Sequence, residues 1–174
     1  MNRQKGISMI ELVIVLIIII LIASFSIYTG NAAIDQATLT EVYSEILAIK
    51  GVVNDVNMKR SLADDFDLDG YLGEMYDKKI GDMSQAEYES ISGIIVSETT
   101  FENMQDSYII FGMDSMDQYQ NSNVRKYYGI ESIKHSYIVD FDASKVDLLR
   151  PVKIANQNVR TFEQIRALVD EGSI

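Results

Sequence analysis

Ile7-Ser8-Met9-Ile10-Glu11-Leu12-Val13-Ile14-Val15-Leu16-Ile17-Ile18-Ile19-Ile20-Leu21-Ile22-Ala23 follows a six-residue leader, Met1-Asn2-Arg3-Gln4-Lys5-Gly6. No side chain from Leu12 to Ala23 is polar, and apolar character continues to about Tyr28. Residues 7–28 carry one charge, Glu11. Wound as a helix at ~1.5 Å per residue they span ~33 Å, close to the hydrocarbon thickness of a bilayer. Ile and Val favour strands in water, but lipid offers no partners to a backbone, so a spanning segment here must be helical. Arg3 and Lys5 precede the span. The positive-inside rule then places the N-terminus in the cytoplasm and everything after Tyr28 outside.

The rest of the chain is different in kind. The whole has 174 residues and a net charge of −11, from 15 Lys+Arg against 26 Asp+Glu. A phosphate backbone needs a basic face, so no nucleic acid is expected as a partner. The same balance excludes a polybasic lipid-surface binder. With 0 cysteines there is no disulfide framework, thiol nucleophile or zinc–thiolate site. Residues 61–174 are long enough for one modest core.

Three readings of the N-terminus compete. A plain single-pass anchor is one. A cleaved secretory signal is the second, with Gly30-Asn31-Ala32 as a small-x-small triplet; its apolar core exceeds the usual ~7–15 residues. Both leave Glu11 unexplained, although a carboxylate in a span costs several kcal/mol and usually has a functional partner. The third reading accounts for it. Lys5-Gly6-Ile7-Ser8-Met9-Ile10-Glu11 and the apolar run resemble the class III signal of type IV pilins and the related pseudopilins.

The resemblance covers about residues 3–28. It implies a cut by prepilin peptidase on the cytoplasmic side, between Gly6 and Ile7, and N-methylation of Ile7. It implies that Glu11 pairs with the freed amine of a neighbouring subunit and so sets register during assembly. The physics is plain: an amine and a carboxylate are each expensive in lipid and neutralise one another when packed together, and a lone one costs ~3–5 kcal/mol. The chain departs from the family at two places. Ile7 stands where phenylalanine is commonest, and Ile20 and Tyr28 stand where many pilins carry glycine and proline. No Gly or Pro falls between Ile7 and Thr29 to loosen the helix.

Beyond the span, Leu39, Val42, Ile46, Ile49, Val53 and Val56 recur at spacings of three and four. That is a helical stripe, with Asp35, Glu41, Glu45 and Asp55 falling between its positions. The spacing predicts one helix from Ile7 to about Lys59, its outer half packed on its own domain. Gly30 and Gly51 are its weak points.

After Arg60 the chain turns acidic, with 14 acidic residues against Lys78 and Lys79 up to residue 122, then 7 against 8 basic ones. Asp65-Phe66-Asp67-Leu68-Asp69-Gly70 matches the first half of a calcium loop, in which alternate oxygens converge and glycine allows the turn. Asp65, Asp67 and Asp69 are the candidate ligands. The twelfth position, a glutamate in such loops, is Tyr76, with Glu74 or Asp77 as substitutes. The competing reading is a polar loop turning at Gly70 and Gly73. Calcium apart, no cofactor is expected.

Ser84-Gln85-Ala86-Glu87 and Thr161-Phe162-Glu163-Gln164 are capping boxes. The first opens a helix to about Ser92. The second opens a terminal helix with Ile165, Leu168 and Val169 inward. Strand-like runs lie at 94–96, 108–111, 137–141, 146–149 and 152–155, with turns at 142–145 and 156–158. No phosphate loop, nucleophile elbow or H-E-x-x-H is present, so no enzyme is expected. His135, the single histidine, reads as a surface or edge-strand residue. The tyrosines read as core and sheet residues, with Tyr127-Tyr128 as a candidate contact surface.

The expected fold is α+β: leader 1–6, transmembrane half-helix 7–28, amphipathic half-helix 29–60, and an extracytoplasmic head 61–174 built on an antiparallel sheet, as in pilins. The resemblance implies a structural subunit, major or minor, of a type IV pilus, a filament of adhesion and twitching motility. Membrane lipid, prepilin peptidase, the inner-membrane assembly platform and other pilin subunits are its implied partners. It would be stored in the cytoplasmic membrane and end in an extracellular filament. A type II secretion pseudopilin and a membrane-anchored binding domain are the alternatives.

Overall fold

A computed structural model of the chain describes residues 9–63, 65–72, 76–112 and 133–170. Helix α1, Met9–Leu62, is unbroken over 54 residues, ~80 Å at the helical rise. It passes through both Gly30 and Gly51 and runs three residues beyond the expected Lys59. The only proline, Pro151, lies far away, in the link before a strand, where its missing N–H breaks no ladder.

Then follow α2 (Leu68–Leu72), β1 (Lys78–Lys79), a 3₁₀ turn (Ile80–Asp82), α3 (Gln85–Ser92), α4 (Glu98–Glu102), β2 (Tyr108–Ile110), β3 (Tyr137–Asp140), β4 (Lys145–Leu148), β5 (Val152–Ile154), β6 (Gln157–Val159) and α5 (Phe162–Asp170). One sheet has the order β1-β2-β3-β4 and is antiparallel throughout; β5 and β6 form a separate hairpin. The architecture is α+β, a long helix against an antiparallel sheet, as the sequence requires.

The head has three layers. Strand alternation sends Tyr108, Ile110, Tyr137, Val139, Val146 and Leu148 to one face, where the α1 stripe, α5 and the small hairpin cover them. All six stripe residues, Leu39 to Val56, are buried. Ile109 and the half-buried Ile138 face the other way, onto Ile80, Tyr88, Ile91 and Phe101 from the 3₁₀ turn, α3 and α4. The helix α1 is thus the spine of the larger core, and its contacts run to β4, β5 and α5.

Capping is as the sequence reads. The Ser84 hydroxyl accepts from the Glu87 amide, and α3 stops at Gly93, whose φ of 69° is the left-handed cap that glycine adopts freely. The turns sit a residue earlier than expected. The β3–β4 turn is 141–144, and β5 and β6 turn at Ala155 and Asn156, with φ of 50° and 62°. Two consecutive positive φ values are what a tight type I′ hairpin requires.

Three expectations fail. The 94–96 run is not a strand. Its backbone is held instead by α3 side chains: Glu89 accepts from the Val96 amide at 3.1 Å and Gln85 donates to the Val96 carbonyl at 2.6 Å. With those groups satisfied nothing drives a ladder, and Ile95 is 88% exposed. In α5 the third inward residue is Phe162, stacked on Tyr43 with centroids 6.1 Å apart, while Val169 in the last turn is exposed. Glu45, placed by pattern between stripe positions, is buried.

Candidate functional site: the exposed half of helix α1 and its seat in the head

The apolar half of α1 packs against no other element among the described residues. Leu12 through Ile22 are each 49–63% exposed, and exposure continues through Phe25, Ile27, Tyr28 and Ile34. Each such residue forgoes about 1.5–3 kcal/mol of burial, and a continuous apolar cylinder does not persist in water. It is long and apolar enough to cross a membrane. Its few hydroxyls fold back on the helix: Ser24 donates to the Ile20 carbonyl at 2.8 Å and Thr29 to Phe25 at 3.1 Å. Such back-bonding spares lipid an unsatisfied donor.

Glu11 belongs to the first turn of α1 by its backbone. Its side chain, and Gly6 and Ile7 altogether, lie outside the described residues, as do Glu74, Gly73, Tyr127 and Tyr128.

The helix is seated by polar contacts as well as by its stripe. Glu45, on the side facing the head, accepts from the Lys134 amide at 2.8 Å, from Tyr137 Oη at 2.6 Å, and meets His135 Nδ1 at 3.1 Å. Burial pushes its carboxyl up, but the bonds from His135, Tyr137 and the Lys134 amide outweigh it and hold the value below the ordinary 4.5. Burial first, then the bond to Glu45, pushes the Tyr137 phenol up. One turn earlier Glu41 pairs with the Lys134 ammonium. Near the far end, Asn57 donates to the Phe141 carbonyl at 2.8 Å and Ser144 Oγ at 2.9 Å, pinning the β3–β4 turn. Lys50 lies 4.2 Å over the Phe162 ring.

His135 is therefore no surface histidine: its side chain is 18% exposed and bound to α1. The Glu45 cluster was missed because a carboxylate reads as a solvent residue. A signal existed, since Glu45 lies three residues after Val42 and four before Ile49, in register with the stripe.

The three aspartates do not converge. Asp67 Oδ1 accepts from the Gly70 amide at 3.0 Å, and α2 begins in the middle of the sequence motif. A Cβ on Gly70 would press on the Asp67 carboxylate, which would have to move aside. Asp69 bonds Tyr108 and Lys79, the latter at 3.0 Å. The bond from Tyr108, then that from Lys79, hold its carboxyl low, and burial with the Asp69 bond pushes the Tyr108 phenol up to about 12. A carboxylate already neutralised by a lysine is a poor cation ligand. Among the described residues no three acidic or histidine side chains are grouped to hold a metal.

No family model, curated protein or solved structure matches the chain.

Proposed function

We propose that the chain is a structural subunit of a type IV pilus, held in the cytoplasmic membrane by α1 with its head outside, and polymerised through the same helix. One observation carries the reading: half of α1 is the spine of a packed head while the other half is exposed and almost wholly apolar over the length of a bilayer. Transfer of that half from lipid into a filament core of like helices keeps apolar contact on both sides, so the exchange is close to balanced. Gly6 and Ile7 are the proposed cleavage point, Ile7 the methylated residue, and Glu11 the carboxylate that pairs with a neighbour's new amine. The proposed role is non-enzymatic.

Intact mass and N-terminal sequencing of membrane-extracted protein test it. The expected start is methylated Ile7. A retained Met1 leaves a tethered domain, and a start at Ala33 leaves a secreted one. Glu11→Val is expected to be processed and membrane-bound yet poorly incorporated into filaments; normal incorporation would refute the registration role.

A further inference from the structure

The outer face of the sheet carries a cleft of about 370 Å³, within the ~300–1,000 Å³ of small-molecule sites. Helices α3 and α4 and the chain after them wall one side, and the β6–α5 corner walls the other. Register sets its floor: Ile138 lies opposite Asp147 and Asp140 opposite Lys145, so these side chains share one face.

Most of the charge in the cleft is paired within the head. Lys145 binds Asp147 at 3.0 Å, and the other Asp147 oxygen accepts from the Phe162 amide at 3.1 Å. Arg160 donates to the Leu148 carbonyl at 3.2 Å and to the Tyr88 hydroxyl at 2.8 Å. Two cations and two carboxylates line the space; Arg160 is pinned inward, and Lys145, whose side chain is 57% exposed, is tied to Asp147. No free fork is left to clamp a phosphate or carboxylate.

The hydrogen-bonding groups left over are neutral or single. Ser107 is 3% exposed. Its amide and carbonyl are used, by Met104 and Ile80, but its hydroxyl meets no partner among the described residues. A buried hydroxyl is not normally left so. The Asn103 side chain, exposed at the rim, likewise has no partner among the described residues. Asp140 spends one oxygen on the Ala143 amide, at 2.9 Å, and keeps the other. Ile138 and Met104 supply apolar surface beside them.

From this arrangement we infer that the cleft binds a neutral, polyhydroxylated ligand the size of one sugar ring. Hydroxyl groups both give and accept, which is what a serine, an amide and one carboxylate oxygen can answer. The C–H face of a ring rests on Ile138 and Met104. The site belongs to the head alone and does not depend on the assembly reading.

The test is saturation-transfer NMR on the full chain in a zwitterionic, sugar-free detergent. Glucose, galactose, mannose and N-acetylglucosamine serve in turn as probes, with inorganic phosphate and glycine as ionic competitors. Saturable binding of at least one sugar is expected, undisturbed by the competitors. Ser107→Ala or Asn103→Ala should weaken it about fivefold or more, the loss of one hydrogen bond. Neither should lower the melting temperature, because neither side chain has a partner among the described residues. Absence of saturable sugar binding, displacement by phosphate or glycine, or unchanged affinity in both variants would overturn the inference. Asn103 is exposed, so its variant remains informative even if the Ser107 variant is poorly folded.

Discussion

Glu45 shows how one side chain can bind a helix to a sheet. Its partners are a backbone amide, a phenol and an imidazole, all from residues 134–137. Glu45→Ala leaves the buried Tyr137 hydroxyl and the partly buried Lys134 amide and His135 ring without this acceptor and is expected to cost about 3 kcal/mol in urea unfolding. The pH dependence has a definite sign. Its folded pKa lies below the ordinary 4.5, so its contribution is complete above that value and is lost as pH falls through the lower folded one. Glu45→Gln should flatten this acid limb, read as melting temperature against pH. At Asp69 the ion pair with Lys79 leads to a different expectation. Calcium added to chelator-treated protein should leave the melting temperature unchanged, since an ion that bound only the folded chain would raise it.

At the scale of elements, α1 joins an exposed apolar half to a buried one. Its stripe was legible because burial on one face writes spacings of three and four into any sequence. Ile46→Ala, fully buried at the centre, is expected to cost about 2–5 kcal/mol. Gly51 is the opposite case. A Cβ there meets nothing within 4 Å, so Gly51→Ala should stabilise the detergent-solubilised monomer by about 1 kcal/mol, seen as a higher urea midpoint. Capping boxes were equally readable, since a serine and a glutamate three residues on satisfy amides that every helix start leaves orphaned. The 94–96 run misled because β-propensity reports half-buried fit, and here Gln85 and Glu89 had already taken the backbone of Val96.

For the whole molecule, the core begins only at Leu39. A chain shortened to begin at Thr29 is therefore expected to be soluble and folded without detergent, while the full chain needs lipid or micelles; sedimentation in detergent-free buffer distinguishes them. Basic residues of the C-terminal third are less available to an acidic partner surface than their number implies. Arg150 donates to the Ile91 carbonyl at 2.6 Å, Arg160 to the Tyr88 hydroxyl at 2.8 Å, and Arg166 pairs with Asp170 at 3.4 Å.

The sequence alone determined the long helix, its division into an exposed apolar half and a core-facing half, the main strands and the helix starts. Each rests on a local rule, either the period of burial or the hydrogen bonds of a helix end, and such rules act between residues close in the chain. Tertiary structure alone decided that Glu45 meets His135 and Tyr137, that Asp69 is taken by Lys79 and Tyr108 rather than left to an ion, and that Ser107, Asp140 and Asn103 border one cleft. The bonded pairs among them are 10 to 92 residues apart, and nothing in a local pattern encodes which distant partner a polar side chain will find.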